Sequence, residues 1–398
     1  MKTKLLPILR YIVLALLLLC IVLCRFFPVM AEGYARHIYP WLSAALSAIA
    51  SVFPFSLEEA LVVVIILWMI IYPFLKRRKK KSWRFIVGRE VELLAWVYIW
   101  FYLGWGLNYF RYDIYRRMEV EPAGYDEQAF HRFLASYTDS LNQSYTAEVK
   151  TDPERMRQEI KEIYRQVPSM YGLALPRDYQ HPKQVWFNPF YSGVGVLGYM
   201  GPFFAESQLN EELLPVQLPF TYAHELSHLL GVSNEAEANY WAYRVCRSSK
   251  RPAVRYSAYF GLLPYVLVNA SSVLTEEEFR EWIKTIRPEV VKDYEYKRMY
   301  WHERYSTLLG EVQNKGFELS LNTLNIQNRD FEWRSTLSFS IYKNEIKHLY
   351  YEYEDVLNEA GEVIGRKEMD DTSNGWFIGQ SIGTIWDLSL IHISEPTR

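Results

Sequence analysis

His224 and His228 stand four residues apart in the stretch PFTYAHELSHLLGVSNEAEANYWAY, residues 219–243. On a helix, side chains at that spacing lie one above the other, so both imidazoles can reach one ion. Glu225, next to the first histidine, then places a proton acceptor beside that ion. Two neutral histidines leave a tetrahedral zinc ion short of a protein ligand, and a carboxylate often supplies it. Glu235 and Glu237 follow the turn that Gly231 makes at the helix end. Asn234 can cap the next helix with Glu237 as its capping-box partner, which gives Glu237 a local task beside the site and leaves Glu235 as the better ligand. Asn239, one turn after Glu235, faces the same way and can accept the ring N–H of a ligand histidine.

The chemistry implied is hydrolysis. Zinc lowers the pKa of a water it binds, and Glu225 takes the proton as that water attacks a peptide carbonyl. A different class open to the same residues is a non-catalytic zinc-binding membrane module that uses the metal for stability or partner binding. Glu225 favours the enzyme, since a structural site has no need of a base there. Tyr240, Tyr243 and Arg244 lie near in sequence as candidate oxyanion donors, and spacing singles out none of them. The metal must be held by nitrogen and oxygen: Cys20 and Cys24 lie in an apolar run and Cys246 stands alone. A net charge of -2, with no basic stripe after residue 110, gives no reason to expect a nucleic-acid partner.

Three apolar runs precede this region. Tyr11 to Cys24 follows Lys2, Lys4 and Arg10; it can be read as a signal peptide, but its length and the absence of a small-residue cleavage site favour a retained helix. Leu57 to Leu75 is followed by KRRKKK, and Val91 to Leu107 is rich in Trp and Tyr, which settle at membrane interfaces. The basic flanks place the N-terminus and the loop from Lys76 to Arg84 on the cytoplasmic side. Residues 25–56 and everything after about 110 then lie across the bilayer, which for a bacterial inner membrane is the periplasm.

From Glu119 the chain reads as mainly helical. Thr151-Asp-Pro-Glu154 and Thr275-Glu-Glu-Glu278 are capping boxes that open helices. Val185 to Asn210, with its glycines, prolines and aromatics, reads as short strands and loops. Such strands either hold an extended substrate by backbone hydrogen bonds or form an ordinary structural hairpin. Tyr256 to Leu274 is apolar, but Gly261, Pro264 and Asn269 favour a buried domain helix over a further span.

The stretch HELSHLLGVSNEAEAN resembles the Bacteroidetes membrane proteins grouped as DUF3810, which look like gluzincin peptidases, and the resemblance covers about residues 1–298. It implies an α+β zincin-like domain with His224, His228 and Glu235 as zinc ligands. Asn239 stands where gluzincins carry a supporting aspartate; it can accept a hydrogen bond but brings no charge. Implied partners are a peptide or membrane-protein substrate and the lipid bilayer.

After residue 300 the character changes. Phe331, Trp333, Leu337, Phe339 and Ile341 alternate with polar residues in period-two strand patterning, and Phe317, Leu319 and Leu321 do the same. Residues 305–387 resemble a fragment of SusC-like TonB-dependent receptors, whose strands would build a barrel wall. The ending LSLIHISEPTR resembles translated adapter sequence. The expected organisation is therefore a mainly α chain: 1–110, a membrane region with three transmembrane helices; 111–300, the zincin-like domain; 301–387, a β-rich receptor-like fragment foreign to it; and 388–398, an artefactual tail. A genuine accessory β-domain is the rival reading of the third part.

Overall fold

The computed structural model describes residues 2–122, 124–308, 317–327, 332–341, 353–357 and 363–368. The chain is mostly α-helical, with apolar helices at its N-terminal end and a small three-stranded sheet in the middle. It divides into a unit Met1–Met299 and a unit Tyr300–Arg398.

Helix α1 (Lys2–Phe26) leads through a short α2 (Pro28–Gly33) and a π-helical turn (Tyr34–Ile38) into α3 (Tyr39–Ser51). Ser56 caps α4 (Leu57–Arg78) by accepting the Glu59 N–H, and Ser82 caps α5 (Trp83–Gly104) through Phe85. Ile8–Phe26 and Leu57–Arg78 are long and apolar enough to cross a membrane. Among the described helices α5 does not join them. It begins before the expected Val91 and carries Arg84, Arg89, Glu90 and Glu92. Glu92 is buried and ion-paired with Arg10 of α1 at 2.6 Å and Arg89 at 2.5 Å. At the other end Tyr34, just beyond α1, donates to the Leu103 carbonyl at 2.7 Å, so α1 and α5 run in the same direction.

A 3₁₀ turn (Gly106–Phe110) and α6 (Ile114–Met118) lead to α7 (Glu127–Ser144) and α8 (Pro153–Arg165). The cap of α8 is Asp152, not the expected Thr151. Its carboxylate accepts the N–H groups of both Glu154 and Arg155, which a hydroxyl one residue earlier cannot match. Residues 183–209 supply β1 (Lys183–Gln184), β2 (Gly198–Gly201) and β3 (Glu206–Leu209), and also a short helix α9 (Asn188–Gly193) that the strand-and-loop reading missed. The strand order is β1–β3–β2, with β1 parallel and β2 antiparallel to β3, and Gly198 opposite Leu209. β2 is thus an edge strand.

Five helices complete the array: α10 (Leu218–Leu229), α11 (Glu235–Arg247), α12 (Pro252–Val273), α13 (Glu276–Lys284) and α14 (Pro288–Leu308). Thr275 and Glu278 make both halves of the capping box at α13. Helix α12 is a domain helix: Tyr256, Phe260 and Leu263 are buried, and Gly261 lies so near Phe220 of α10 that a Cβ there would meet its ring at 2.4 Å. Leu226, Leu229, Ala238, Trp241 and Val245 lock α10 to α11, and Met156, Ile160 and Tyr164 of α8 close the same core. Each large buried apolar side chain contributes roughly 1.5–3 kcal/mol.

In the second unit, the backbone strands β4 (Phe317–Gln327) and β5 (Glu332–Ile341) pair antiparallel, as do β6 (Tyr353–Leu357) and β7 (Val363–Glu368). Residues 388–398 lie outside the described residues.

Candidate metal centre

Helix α10 is buried along most of its length, so its two histidines are not ordinary surface residues. The His228 side chain is 9% exposed and that of His224 15%, while Glu235 at the start of α11 is 41% exposed and marks the open side. The Nε2 atoms of His224 and His228 approach to 3.1 Å, and Glu235 reaches them at 3.1 and 3.5 Å. Together the three residues form a cluster that could chelate a metal, with one ligand atom each and all within 4.8 Å of one another.

The far side of each imidazole decides what these atoms can do. His224 Nδ1 lies 2.8 Å from Asn239 Oδ1, and His228 Nδ1 lies 2.9 Å from the Val232 carbonyl. Both partners only accept, so each Nδ1 carries a hydrogen and donates it. Both neutral rings then turn a lone pair toward the same point as the Glu235 carboxylate. Three electron-rich atoms this close repel unless a positive charge sits among them. Burial alone would depress the His228 imidazole, but its hydrogen bond with Glu235 and the charges of Glu225 and Glu235 raise it to about 9. Burial raises the Glu235 carboxyl less than the two imidazoles lower it, so it stays well below the ordinary range. A divalent cation bound by nitrogen and oxygen suits the same place, so the residues present fit zinc.

Glu225 is buried, and burial raises its carboxyl despite the opposing influence of His224 and His228. β2 lies directly against it. A Cβ on Gly198 would stand 2.9 Å from Glu225 Cγ and 3.0 Å from its Oε1, so only glycine lets the strand pass this close.

Glu237 turns away from the cluster. Asn234 accepts its backbone N–H at 2.9 Å, which is half of the expected capping box. The other half is missing because the carboxylate is taken by Arg117 in a buried ion pair and by Trp241 Nε1 at 3.0 Å. Of the candidate oxyanion donors, Arg244 donates to the Tyr240 hydroxyl at 2.8 Å, and Tyr243 packs edge-on to Tyr259.

What sequence reasoning missed is the support under the turn. Gly231 takes φ +97, a conformation costing other L-residues about 1–2 kcal/mol, and a Cβ there would sit 3.3 Å from the Tyr39 ring. Tyr39 donates to the Leu229 carbonyl at 2.8 Å, Trp105 Nε1 to the His228 carbonyl at 2.9 Å, and Arg111 to the Gly231 carbonyl at 3.1 Å. Arg111 is held in turn by Glu32. These bonds satisfy carbonyls that a helix end leaves open, and two of the donors come from before residue 110. No spacing within residues 219–243 announces them.

Residues 34–328 match the family described as "Protein of unknown function (DUF3810)". The match ends later than the expected limit of 298. A short part of the chain is similar to two proteins of Formosa agariphila, TonB-dependent receptor P3 at 46% identity and TonB-dependent receptor P26 at 49%, each over 41 residues. That is 10% of this chain, which spans only 4% of the length of those curated relatives. No solved structure matches. With most of its length covered by the family, the chain belongs to DUF3810.

Proposed function

We propose that this DUF3810 protein is a membrane-anchored, zinc-dependent metallopeptidase of gluzincin type. The observation that carries the reading is the convergence of His224 Nε2, His228 Nε2 and the Glu235 carboxylate, with each Nδ1 turned to an oxygen of Asn239 or Val232 on the far side. His224, His228 and Glu235 would hold the ion, with Asn239 orienting the first ring. When bound, zinc would acidify a water and polarise a peptide carbonyl.

Glu225 supplies the proton traffic. Its carboxylate accepts one proton from the attacking water as the oxygen bonds to the carbonyl carbon. The same carboxyl then gives that proton to the amine nitrogen as the C–N bond breaks, and the second proton of the water passes to the released amine, leaving a carboxylate and an ammonium. A burial-raised carboxyl is suited to both halves of this exchange. β2 is the proposed seat for an extended peptide, because it is an edge strand and its Gly198 lies against Glu225. The basic residues flanking α1 and α4 would put this site on the periplasmic side of a bacterial inner membrane provided that α5, less apolar than either, crosses as well with Glu92 paired to Arg10 and Arg89.

The test is cleavage of a broad peptide library by the zinc-loaded full chain in detergent. Glu225→Gln is expected to retain zinc and to lose about 10²–10⁴-fold in rate. Cleavage unaffected by that substitution, or none in the wild type with zinc fully bound, would leave a zinc module without catalysis.

A further inference from the structure

Helix α3 is apolar on both sides: Leu46 packs into the domain core and Tyr39 and Ala50 are buried, yet large apolar residues also face outward. Its outward stripe is Ile38, Trp41, Ala45, Ile49 and Val52, spaced three or four apart, and the four large members are 55–78% exposed. Its inward side mixes apolar residues with the buried serines Ser43 and Ser47 and is tied to the domain by hydrogen bonds. Buried Ser47 accepts from Gln180 Nε2 at 3.0 Å, the Ala44 carbonyl accepts from the Tyr179 hydroxyl at 2.8 Å, and the Ala50 carbonyl accepts from Lys183 Nζ at 2.7 Å. No charged residue occurs from Ile38 to Leu57. In water such a stripe would forfeit roughly 25 cal/mol for each Å² left exposed.

We infer that the outward stripe of α3 is seated in the acyl region of one membrane leaflet, at the end of α4 remote from Lys76–Lys81. Continuity with the apolar spans supports lipid as the occupant: α1 ends shortly before α3, and five residues, 52–56, separate α3 from the span that starts at Leu57. At 1.5 Å per residue, a helix of 13 residues is about 20 Å long, too short to cross a core of about 30 Å but long enough to lie in its boundary. Phe53, Phe55 and Trp186 carry the same surface onward, with ring centroids 5.6 and 6.0 Å apart in succession.

The consequence concerns reach. Lys183, which bonds α3, opens β1 of the same small sheet whose β2 passes Glu225. A leaflet-seated α3 therefore holds that sheet at the bilayer surface, and the substrate class becomes polypeptide segments lying at or emerging from the membrane. This last step rests on the proposed function; the seating of α3 does not.

The experiment is photolabelling of the unmodified full chain in nanodiscs with a phospholipid carrying a diazirine on its acyl chain, followed by peptide mapping. Label in residues 38–52 as well as in α1 and α4 is expected; label confined to α1 and α4 would overturn the inference. To separate lipid from other cover, a nitroxide is placed by Trp41→Cys in a chain with Cys20, Cys24 and Cys246 changed to Ala, with Glu148→Cys as the exposed control. Oxygen should reach position 41 severalfold better, relative to a water-soluble nickel complex, than it reaches position 148. Free access of the nickel complex would mean water, and exclusion of both would mean a second copy or partner; either result sinks the proposal. None of these readouts depends on metal or cleavage.

Discussion

Two glutamates, Glu206 and Glu235, sit in opposite surroundings, and the contrast separates a carboxylate that builds from one that binds. Glu206 on β3 is 2% exposed and ringed by donors: Lys183 Nζ, Ser56 Oγ at 3.1 Å, and the N–H groups of Leu57 and Glu58 at 3.3 and 3.0 Å. It closes the N-terminus of α4, where the unpaired N–H groups and the helix dipole favour an anion. Glu235 faces two imidazoles whose only hydrogens, in the neutral form, point away from it. The first has its donors within the chain, whereas the second belongs to a cluster that could hold a metal ion.

Breaking each cluster should therefore give different losses. The largest structural effect is expected from Glu206→Ala, which opens the N-terminus of α4 and leaves the largely covered Lys183 ammonium only the carbonyls of Ala50 and Phe55. The cost is about 3–5 kcal/mol, a fall in thermal midpoint on the order of 10 °C in detergent, and it should be the same with or without zinc. An unchanged midpoint would erase the distinction. Next comes Asn239→Ala, which frees the His224 ring while leaving the ligands in place. Zinc affinity measured by chelator competition should fall about 10–100-fold, with little change in metal-free stability. Equal affinity would mean that Asn239 does not set the tautomer.

The smallest effect tests the support beneath the turn. Burial raises the Glu32 carboxyl, but Arg111 and then Arg36 outweigh it and hold the group below its ordinary 4.5. Because the folded value is the lower one, Glu32 contributes stability that is present above about pH 4.5 and lost as pH falls through the folded value. The metal-free thermal midpoint of Glu32→Gln should consequently depend less on pH in that acid range than the wild type. Parallel profiles would show that the Arg111 brace does not rely on this charge.

The histidine–glutamate cluster was legible because it is local. His224, His228, Glu235 and Asn239 are related by helical spacing across one glycine turn, and the structure brings all four together. Glu237 was legible only in part, since its cap bond is local while Arg117, which takes its carboxylate, lies far away in sequence. Tyr39, Trp105, Arg111 and Gly198 could not be read from spacing, because each acts through a contact made only when distant segments pack. The membrane-spanning lengths of α1 and α4 were clear from composition. The expected third run, Val91 to Leu107, lies within an α5 that starts earlier and carries charges near its start, where Glu92 pairs with Arg10 of α1 and with Arg89.

The most direct measurement is the zinc content of the detergent-purified full chain, wild type against Glu235→Ala, by elemental analysis. One zinc per wild-type chain, largely lost on the substitution while the thermal midpoint of the metal-free protein holds, is the expected result. A folded wild type that takes up no zinc, or a Glu235→Ala chain that keeps it, would contradict the three-ligand site.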